Sequence, residues 1–181
     1  MIRQATRDDV SRMLEIYAPY VRETAISFEY DPPSDEVFMK RFERITERYP
    51  WIVWEENGRV LGYAYGDTAF ERAAYKWDAD MSIYVDRDAR GKGIGTELYD
   101  RLEALLRAMG YCNLYALITA DNLPSCRFHE SRGYELHGIL KRSGYKFGKW
   151  YDVNWYCLDL TGNDPAKGEP KRFDPSMLEE I

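Results

Sequence analysis

A strand, a glycine-rich turn and a helix follow one another along residues 81–109, and this order constrains the fold more than any other feature. "MSIYV" is a short apolar run rich in β-forming residues, and apolar residues recur at helical spacing from about Gly95 to Met109. Between them lies "RGKGIG" at 90–95, with glycine at every second position. Because glycine loses the most entropy on folding, this cluster indicates that something approaches the backbone closely.

The glycine turn matches neither familiar nucleotide-binding loop. A P-loop needs Lys and then Ser or Thr after its last glycine, and a dinucleotide fold needs another glycine spacing and an acidic residue about twenty positions later. The turn instead leads into a helix N-terminus with free N–H groups, and Arg90 and Lys92 add positive charge. This arrangement suits an anion such as a pyrophosphate. An ordinary tight turn with solvated cations is the alternative.

Length and composition predict one soluble domain at 1–160 followed by a weakly structured tail at 161–181, unless the tail docks. The chain has 181 residues, of which 45% are hydrophobic and 31% charged, and no apolar run of membrane-spanning length. The N-terminus lacks an apolar signal core, so we expect a cytoplasmic protein. A net charge of −6 argues against non-specific nucleic-acid binding. Cys112, Cys126 and Cys157 fit no metal or redox pattern, so we expect free thiols and no metal.

Periodicity predicts an α+β fold with a central mixed sheet. The clearest local signals are a capping box at Thr6 and Asp9, a helix cap at Ser34 and a hairpin turn at Asn57-Gly58. The predicted elements are a strand at 1–5, helices at 10–21 and 34–48, a hairpin at 51–70, a strand at 81–85, a helix at 95–109, a strand at 112–119, a short helix at 123–132, and strands at 134–142 and 151–160.

The surroundings of the glycine turn resemble the GNAT superfamily of N-acetyltransferases. "RGKGIG" after "SIYV" satisfies that superfamily's acetyl-coenzyme A motif, Q/R-x-x-G-x-G/A. "ERYPWIV", "AYKWDADMSIYVDRDARGKGIGTELY", "DNLPSCRFHESRGY" and "SGYKFGKWYDVNWYCLDL" are similar to the phosphinothricin and methionine sulfoximine acetyltransferase branch. The resemblance covers nearly all of residues 1–160. It implies the GNAT fold, a mostly antiparallel mixed sheet that is splayed in the middle and has helices on both faces, with the cofactor in the opening.

The resemblance also implies how acetyl-CoA is held. The main chain of Ile83 and Val85 would bond the pantetheine, and a backbone N–H there would polarise the thioester carbonyl as an oxyanion hole. The turn at 90–96 would hold the pyrophosphate, and Asn122 matches a position that contacts coenzyme A. The full set of implied cofactor contacts is Ile83, Tyr84, Val85, Arg90, Gly91, Lys92, Gly93, Ile94, Gly95, Thr96, Asn122 and Ser125.

Two catalytic residues are implied. Asp80 stands where this branch has a glutamate general base, and its shorter side chain reaches an amine through a water. His129 stands where many GNAT enzymes have a tyrosine, as it does in the phosphinothricin branch, and a histidine is able to protonate the leaving thiolate or help to remove the amine proton. The alternatives are a strand-end carboxylate without function and a helix-end histidine whose bonds go to backbone.

The resemblance implies that the loop "AFERAAYKW" selects the acceptor amine. Arg72 matches an arginine that is expected to hold an anionic group, and Phe70 replaces a lysine of phosphinothricin enzymes, which favours a less anionic analogue. Lys146 and Trp150 are candidates for the pocket rim, in a segment that joins a dimer interface in relatives. The implied substrate contacts are Phe70, Glu71, Arg72 and Tyr75.

These features predict an acetyl-CoA-dependent N-acetyltransferase that acts on the α-amine of a small amino acid or analogue. Direct transfer is favoured because the cysteines have no obvious base partner in sequence. We expect a homodimer with no nucleic-acid, membrane or metal partner. A noncatalytic acyl-CoA sensor and an acetyltransferase of a protein N-terminus or polyamine stay open. An acidic groove would favour the latter, whereas a closed pocket containing Arg72 would favour a small anionic acceptor.

Overall fold

The computed structural model describes residues 1–162, 164 and 166–181, which form a mixed sheet with helices on both of its faces. The strands lie in the order β1-β2-β3-β4-β5-β7-β6, and every neighbouring pair is antiparallel except β4 and β5. The strands are β1 (Ile2–Gln4), β2 (Trp51–Glu56), β3 (Arg59–Thr68), β4 (Asp78–Val85), β5 (Asn113–Thr119), β6 (Glu135–Lys146) and β7 (Lys149–Asp159).

The predicted helices are present, and their caps follow the sequence signals. Thr6 donates to the Asp9 carboxylate, and the Ser34 hydroxyl accepts from the N–H of Val37. None of the helices formed by the described residues has the length and apolar character that a membrane span requires. The helices are α1 (Val10–Glu23), α2 (Asp35–Thr46), α3 (Ile94–Met109), α4 (Leu123–Ser131) and the short α5 (Met177–Glu180).

Alternation along β4 assigns the helices to the two faces of the sheet. Tyr84 packs edge-on against Tyr17 and Tyr20, so α1 covers the face that even-numbered β4 residues occupy. On the other face, Gly95 at the start of α3 lies close to the side chains of Ile83 and Val85. The sheet therefore has a buried core on each side, as the α+β prediction requires.

The β6–β7 hairpin departs from its predicted form. The sequence predicts strands that end near 142 and begin near 151, but β6 runs to Lys146 and β7 begins at Lys149. Phe147 and Gly148 form the turn, with φ of 50° and 76°. Phenylalanine is rare in this left-handed region, so the sequence carries no clear turn signal there. The Asn57-Gly58 turn between β2 and β3, in contrast, is confirmed with φ of 53° and 74°.

The central strands β4 and β5 separate after a short stretch of pairing. Their parallel ladder covers Asp78–Asp80 against Asn113–Tyr115, and the Asn113 amide donates to the Asp78 carboxylate at 2.8 Å. Beyond it, β4 continues alongside β3 and β5 continues alongside β7. The divergence opens a cleft in the middle of the sheet, with Asp80 and Tyr115 at its vertex.

The described part of the C-terminal segment docks against the domain. The N–H of Lys171 donates to the carbonyl of Met109 at 2.8 Å, and the N–H of Phe173 donates to the carbonyl of Arg48 at 2.9 Å. Phe173, like Met177 and Leu178 of α5, packs against the core. The segment therefore covers the C-terminal end of α3 and the end of the loop after α2.

Candidate active site

The cleft between β4 and β5 brings together residues from three predicted parts of the site. Ile83 and Tyr84 come from β4, Asn122 caps α4, and Ser125 and His129 lie on α4, and all five line the cleft. Met81, Ser82, Tyr99 and Thr119 also line it. These positions are distant in sequence, and the cleft exists because the two strands stop pairing after three residues.

The glycine turn at the end of β4 adopts the backbone that its composition indicates. Gly91 and Gly93 have φ of 77° and 80°, and Gly93 immediately precedes α3. Left-handed φ disfavours residues with a Cβ, so both glycines are required by conformation. Gly95 differs, because its φ is not positive and a Cβ there would lie 3.7 Å from the Val85 side chain, an ordinary contact. Arg90 and Lys92 are exposed beside the N-terminus of α3.

The main chain of Val85 is already bonded to a side chain that the sequence did not single out. Because the N–H of Asp86 bonds the carbonyl of Leu61, alternation directs the main-chain groups of Val85 away from β3 and toward the cleft. There the Tyr20 hydroxyl donates to the Val85 carbonyl at 2.5 Å and accepts from its N–H at 3.2 Å. A cofactor contact to the N–H of Val85 therefore competes with Tyr20, whereas no described side chain is seen to bond the main chain of Ile83.

Asp80 lies at the vertex of the cleft with one unsatisfied carboxylate oxygen. Its Oδ1 is shielded from solvent and has no hydrogen-bond partner among the described residues. Burial raises the pKa of Asp80 to about 7, and the charge of Asp67 on β3 adds to this, whereas the N–H of Met81 lowers it. Arg44 holds Asp67 through two hydrogen bonds of 2.7 and 2.9 Å. A carboxylate with a pKa near neutrality is suited to take up and release a proton.

His129 is fully bonded inside the domain. Its Nδ1 lies 2.8 Å from the main-chain oxygen of Ser125, and its Nε2 lies 2.7 Å from the Tyr99 hydroxyl. Because the carbonyl only accepts, Nδ1 carries the proton and Nε2 accepts from Tyr99. The side chain is 4% exposed, and burial lowers the pKa of His129, so the ring is neutral. This geometry favours the alternative in which the histidine is satisfied by its surroundings.

The acceptor loop divides into a packed part and an exposed part. Phe70 packs against Tyr75, Tyr115 and Trp155, with ring centroids 4.8, 5.4 and 5.6 Å apart. Tyr115 is the register partner of Asp80, so this aromatic cluster lies on the same face of the sheet as the carboxylate. Sequence reasoning missed Tyr115 and Trp155, because strand alternation does not reveal which strands are neighbours.

Glu71 and Arg72 are exposed and do not line the cleft. The guanidinium of Arg72 has no ion-pair partner among the described residues, so it is free to meet an anion. The chain by itself does not close a pocket around Arg72.

The two rim candidates occupy different environments. Trp150 is 50% exposed near the tip of the β6–β7 hairpin. Lys146 is 3% exposed, and its ammonium group donates to three main-chain carbonyls near the end of α1. The prediction that Lys146 lies on a pocket rim is therefore wrong, because the alternation of β6 turns this side chain inward.

None of the cysteines is among the residues that line the cleft. All three are free thiols. Burial raises the pKa of the Cys157 thiol to about 11 and also raises that of Cys112. In the part of the chain that the structure describes, no cluster of His, Cys, Asp and Glu is arranged to bind a metal.

Comparison with known proteins confirms the predicted family. An acetyltransferase (GNAT) domain model matches residues 2–155. The chain is 34% identical to a phosphinothricin N-acetyltransferase of Streptomyces viridochromogenes, over 94% of this chain and 92% of that protein. It is also 34% identical to an L-methionine sulfoximine/L-methionine sulfone acetyltransferase of Pseudomonas aeruginosa, over 93% and 98%.

Comparison with solved structures indicates the same family. The crystal structure of a GNAT superfamily phosphinothricin acetyltransferase from Sinorhizobium meliloti in complex with AcCoA matches with a TM-score of 0.87 at 34% identity, over 93% of this chain and 94% of that one. The fold that this match indicates is the one described above, with its sheet opened between β4 and β5. The chain therefore belongs to the GNAT acetyltransferase family.

Proposed function

We propose that the protein transfers the acetyl group of acetyl-CoA to the α-amine of a small amino acid or amino acid analogue. The observation that carries this proposal is Asp80, a carboxylate at the vertex of the cleft with one buried, unpartnered oxygen and a pKa of about 7. From there β4 leads to the glycine turn and the N-terminus of α3. A proton acceptor and an anion site on one strand are what amine acylation by a pyrophosphate-bearing thioester needs.

The residues around the cleft fit acetyl-CoA. The turn at 90–96 offers the N–H groups of a helix N-terminus and the exposed cations of Arg90 and Lys92 to a pyrophosphate. The main chain of Ile83 faces the opening of the sheet and would pair with the pantetheine. Asn122 and Ser125 line the opposite wall and are joined by a long bond of 3.4 Å. Acetyl-CoA supplies an activated acetyl group, which the protein has to orient and shield from water.

In the proposed mechanism the acceptor binds as an ammonium ion near Asp80, and the carboxylate takes up its proton directly or through a water. The neutral amine attacks the thioester carbonyl, so that a C–N bond forms while the C–S bond breaks. The second nitrogen proton passes to the departing sulfur through water, a modest demand because a thiol has a pKa near 8.5. The acid role predicted for His129 stays a prediction, and its bonds to Ser125 and Tyr99 support a structural role instead.

Direct transfer is favoured over an acyl-enzyme. No cysteine lines the cleft, and the raised pKa values of Cys157 and Cys112 keep these thiols protonated near neutral pH. The small acceptor is supported by the names of the two relatives described above and by the aromatic wall of Phe70. An exposed apolar face on the β6–β7 hairpin supports the proposed homodimer, and the free thiols support a cytoplasmic location.

A free-thiol release assay over a panel of amines tests the proposal. The panel contains methionine sulfoximine, methionine sulfone, phosphinothricin, common amino acids, peptides and polyamines. We expect release with at least one small amino acid analogue. Tight acetyl-CoA binding without thiol release for any amine would indicate a noncatalytic sensor. Thiol release with peptides or polyamines alone would indicate an acetyltransferase of a protein N-terminus or a polyamine.

The Asp80→Asn variant tests the base. We expect kcat/KM to fall by roughly a hundredfold or more, because the variant has no carboxylate to accept the proton. The acetyl-CoA Kd from calorimetry should stay within about twofold, since the side chain lies outside the proposed cofactor contacts. Asp78→Asn, on the same face of β4 but bonded to Asn113, is the matched control. Equal rates for Asp80→Asn and the parent across pH would remove Asp80 from the mechanism.

A further inference from the structure

We propose that Lys146 is a positioning residue for the acceptor, which holds the loop at 24–27 so that Ile26 forms a wall at the mouth of the cleft. The inference rests on the proposed function, because it takes the amine to enter the cleft through this mouth. It concerns a side chain on β6 that acts on the segment after α1. Nothing in the sequence order connects these two parts of the chain.

Lys146 has all of its hydrogen-bonding capacity in use. Its Nζ donates to the carbonyl oxygens of Val21 at 2.7 Å, Thr24 at 2.8 Å and Ser27 at 2.6 Å. An ammonium group has three N–H donors, so each donor has one acceptor. The residue is 3% exposed, and a buried charge is tolerated when it is bonded in this way.

The three acceptors explain why a cation is placed there. α1 ends at Glu23, and Thr24 continues in extended conformation, without the left-handed glycine that commonly satisfies the last carbonyls of a helix. Lys146 binds the carbonyl of Val21 in the last turn and the carbonyls of Thr24 and Ser27 just beyond it. A positive charge at this end also interacts favourably with the helix dipole. The lysine therefore acts as a C-terminal cap supplied by a distant strand.

The loop that Lys146 holds lies on the acceptor side of the cleft. The Thr119 hydroxyl on β5 donates to the carbonyl of Ala25, and Thr119 occupies the same face of β5 as Tyr115. The Ser27 hydroxyl bonds the Tyr17 hydroxyl at 2.7 Å. The loop is thus fixed on both sides of Ile26.

Ile26 is the residue that these anchors present to the cleft. It is 40% exposed and lines the opening together with Ile83, Asn122 and His129. An apolar side chain at this point narrows the mouth and limits the entry of water to the thioester. If the loop moved, both the placement of the amine and the exclusion of water would suffer.

The Lys146→Met variant tests the inference, because it keeps the length of the side chain and removes the cation. We expect amide hydrogen exchange within 24–27 to become about tenfold faster or more. The KM of the amine should rise about tenfold with kcat within about threefold, and thiol release without amine should increase. The acetyl-CoA Kd should change by less than the KM of the amine. Lys141→Met is the matched control, since Lys141 lies on the same strand, is exposed and pairs with Asp152.

Lys146→Arg keeps the charge and should restore part of the parent's KM. Should Lys146→Met fail to fold, Thr119→Val removes the neighbouring anchor and Ile26→Ala removes the wall itself. Thr119→Val should speed amide hydrogen exchange within 24–27. Thr119→Val and Ile26→Ala should each raise amine-independent thiol release. Unchanged exchange in Lys146→Met, or faster exchange with unchanged KM and unchanged amine-independent release, would overturn the inference. If no amine is acetylated, the proposed function fails, while exchange and amine-independent release still decide the role of Lys146.

Discussion

The acid–base behaviour of Asp80 is decided by its neighbours. Burial is the larger cause of its raised pKa, and Asp67, its register partner on β3, is the second. Because the folded state raises the pKa from 3.8 to about 7, the stability that this proton contributes is full below about pH 4 and is lost as the pH rises through 7. The protein retains this unfavourable carboxylate at the vertex of the cleft, as expected for a functional group.

The pH dependence of the reaction should respond to Asp67. kcat/KM should rise with pH through about 7, since Asp80 must be deprotonated to act as the proposed base. Asp67→Asn removes a like charge, lowers the pKa of Asp80 and should move the midpoint to lower pH by about half a unit or more. Arg44→Met leaves the charge of Asp67 uncompensated and should move the midpoint to higher pH. Midpoints that shift in the same direction in both variants would contradict this account.

At the scale of elements, the glycines of the turn have two different structural roles. Gly91 and Gly93 adopt left-handed φ so that the chain can reverse direction and start α3 beside the end of β4. Gly95 lies in the first turn of α3 above Ile83 and Val85. The three glycines look equivalent in sequence, but two of them set the backbone and the third meets only ordinary packing.

The glycines should therefore respond differently to alanine. Gly93→Ala should lower the free energy of unfolding by about 1–2 kcal/mol and weaken acetyl-CoA binding, because the Cβ disfavours a φ of 80° and distorts the turn. Gly95→Ala should leave stability unchanged or raise it by up to about 1 kcal/mol, since alanine favours the helix. Urea denaturation and calorimetry with acetyl-CoA measure the two effects. If both substitutions lowered the free energy of unfolding equally, steric contact of the added Cβ, and not the φ of the residue, would account for the effect.

At the scale of the whole molecule, the β6–β7 hairpin is the part that a single chain leaves least covered. β6 is an edge strand of 12 residues, and most of its side chains are exposed. Long exposed edges and apolar patches favour association with another chain. The apolar side chains exposed on the hairpin are Leu136, Ile139, Leu140, Tyr145, Phe147 and Trp150.

The proposed homodimer should depend on this hairpin. Sedimentation equilibrium should give twice the chain mass for the parent, and Phe147→Asp or Trp150→Glu should shift the equilibrium toward monomer, because a charge on an apolar interface loses its hydration. Val37→Glu, which changes an exposed valine on α2, is the control. A monomeric parent at micromolar concentration, or a dimer that tolerates both hairpin variants, would contradict the proposed interface.

The sequence by itself determined the family and most of the local structure, apart from the turn of the β6–β7 hairpin. Hydrophobic periodicity, the cap at Ser34, the Asn57-Gly58 turn and the glycines before α3 depend on neighbouring residues, so short-range physics was sufficient to predict them. The family resemblance then named residues such as Asn122 that the cleft brings together. The order of the strands was not predictable from these signals, because it depends on contacts between distant segments.

Tertiary structure alone decided the chemical state of the site. The pKa of Asp80 depends on the burial that the fold imposes and on a cross-strand neighbour, and the bonds of His129 depend on Tyr99 in another helix. Tyr20 reaches Val85, and Lys146 reaches the end of α1, across more than sixty residues of sequence. Burial and hydrogen bonding are properties of the assembled neighbourhood, and a residue's type and position in the chain do not specify that neighbourhood.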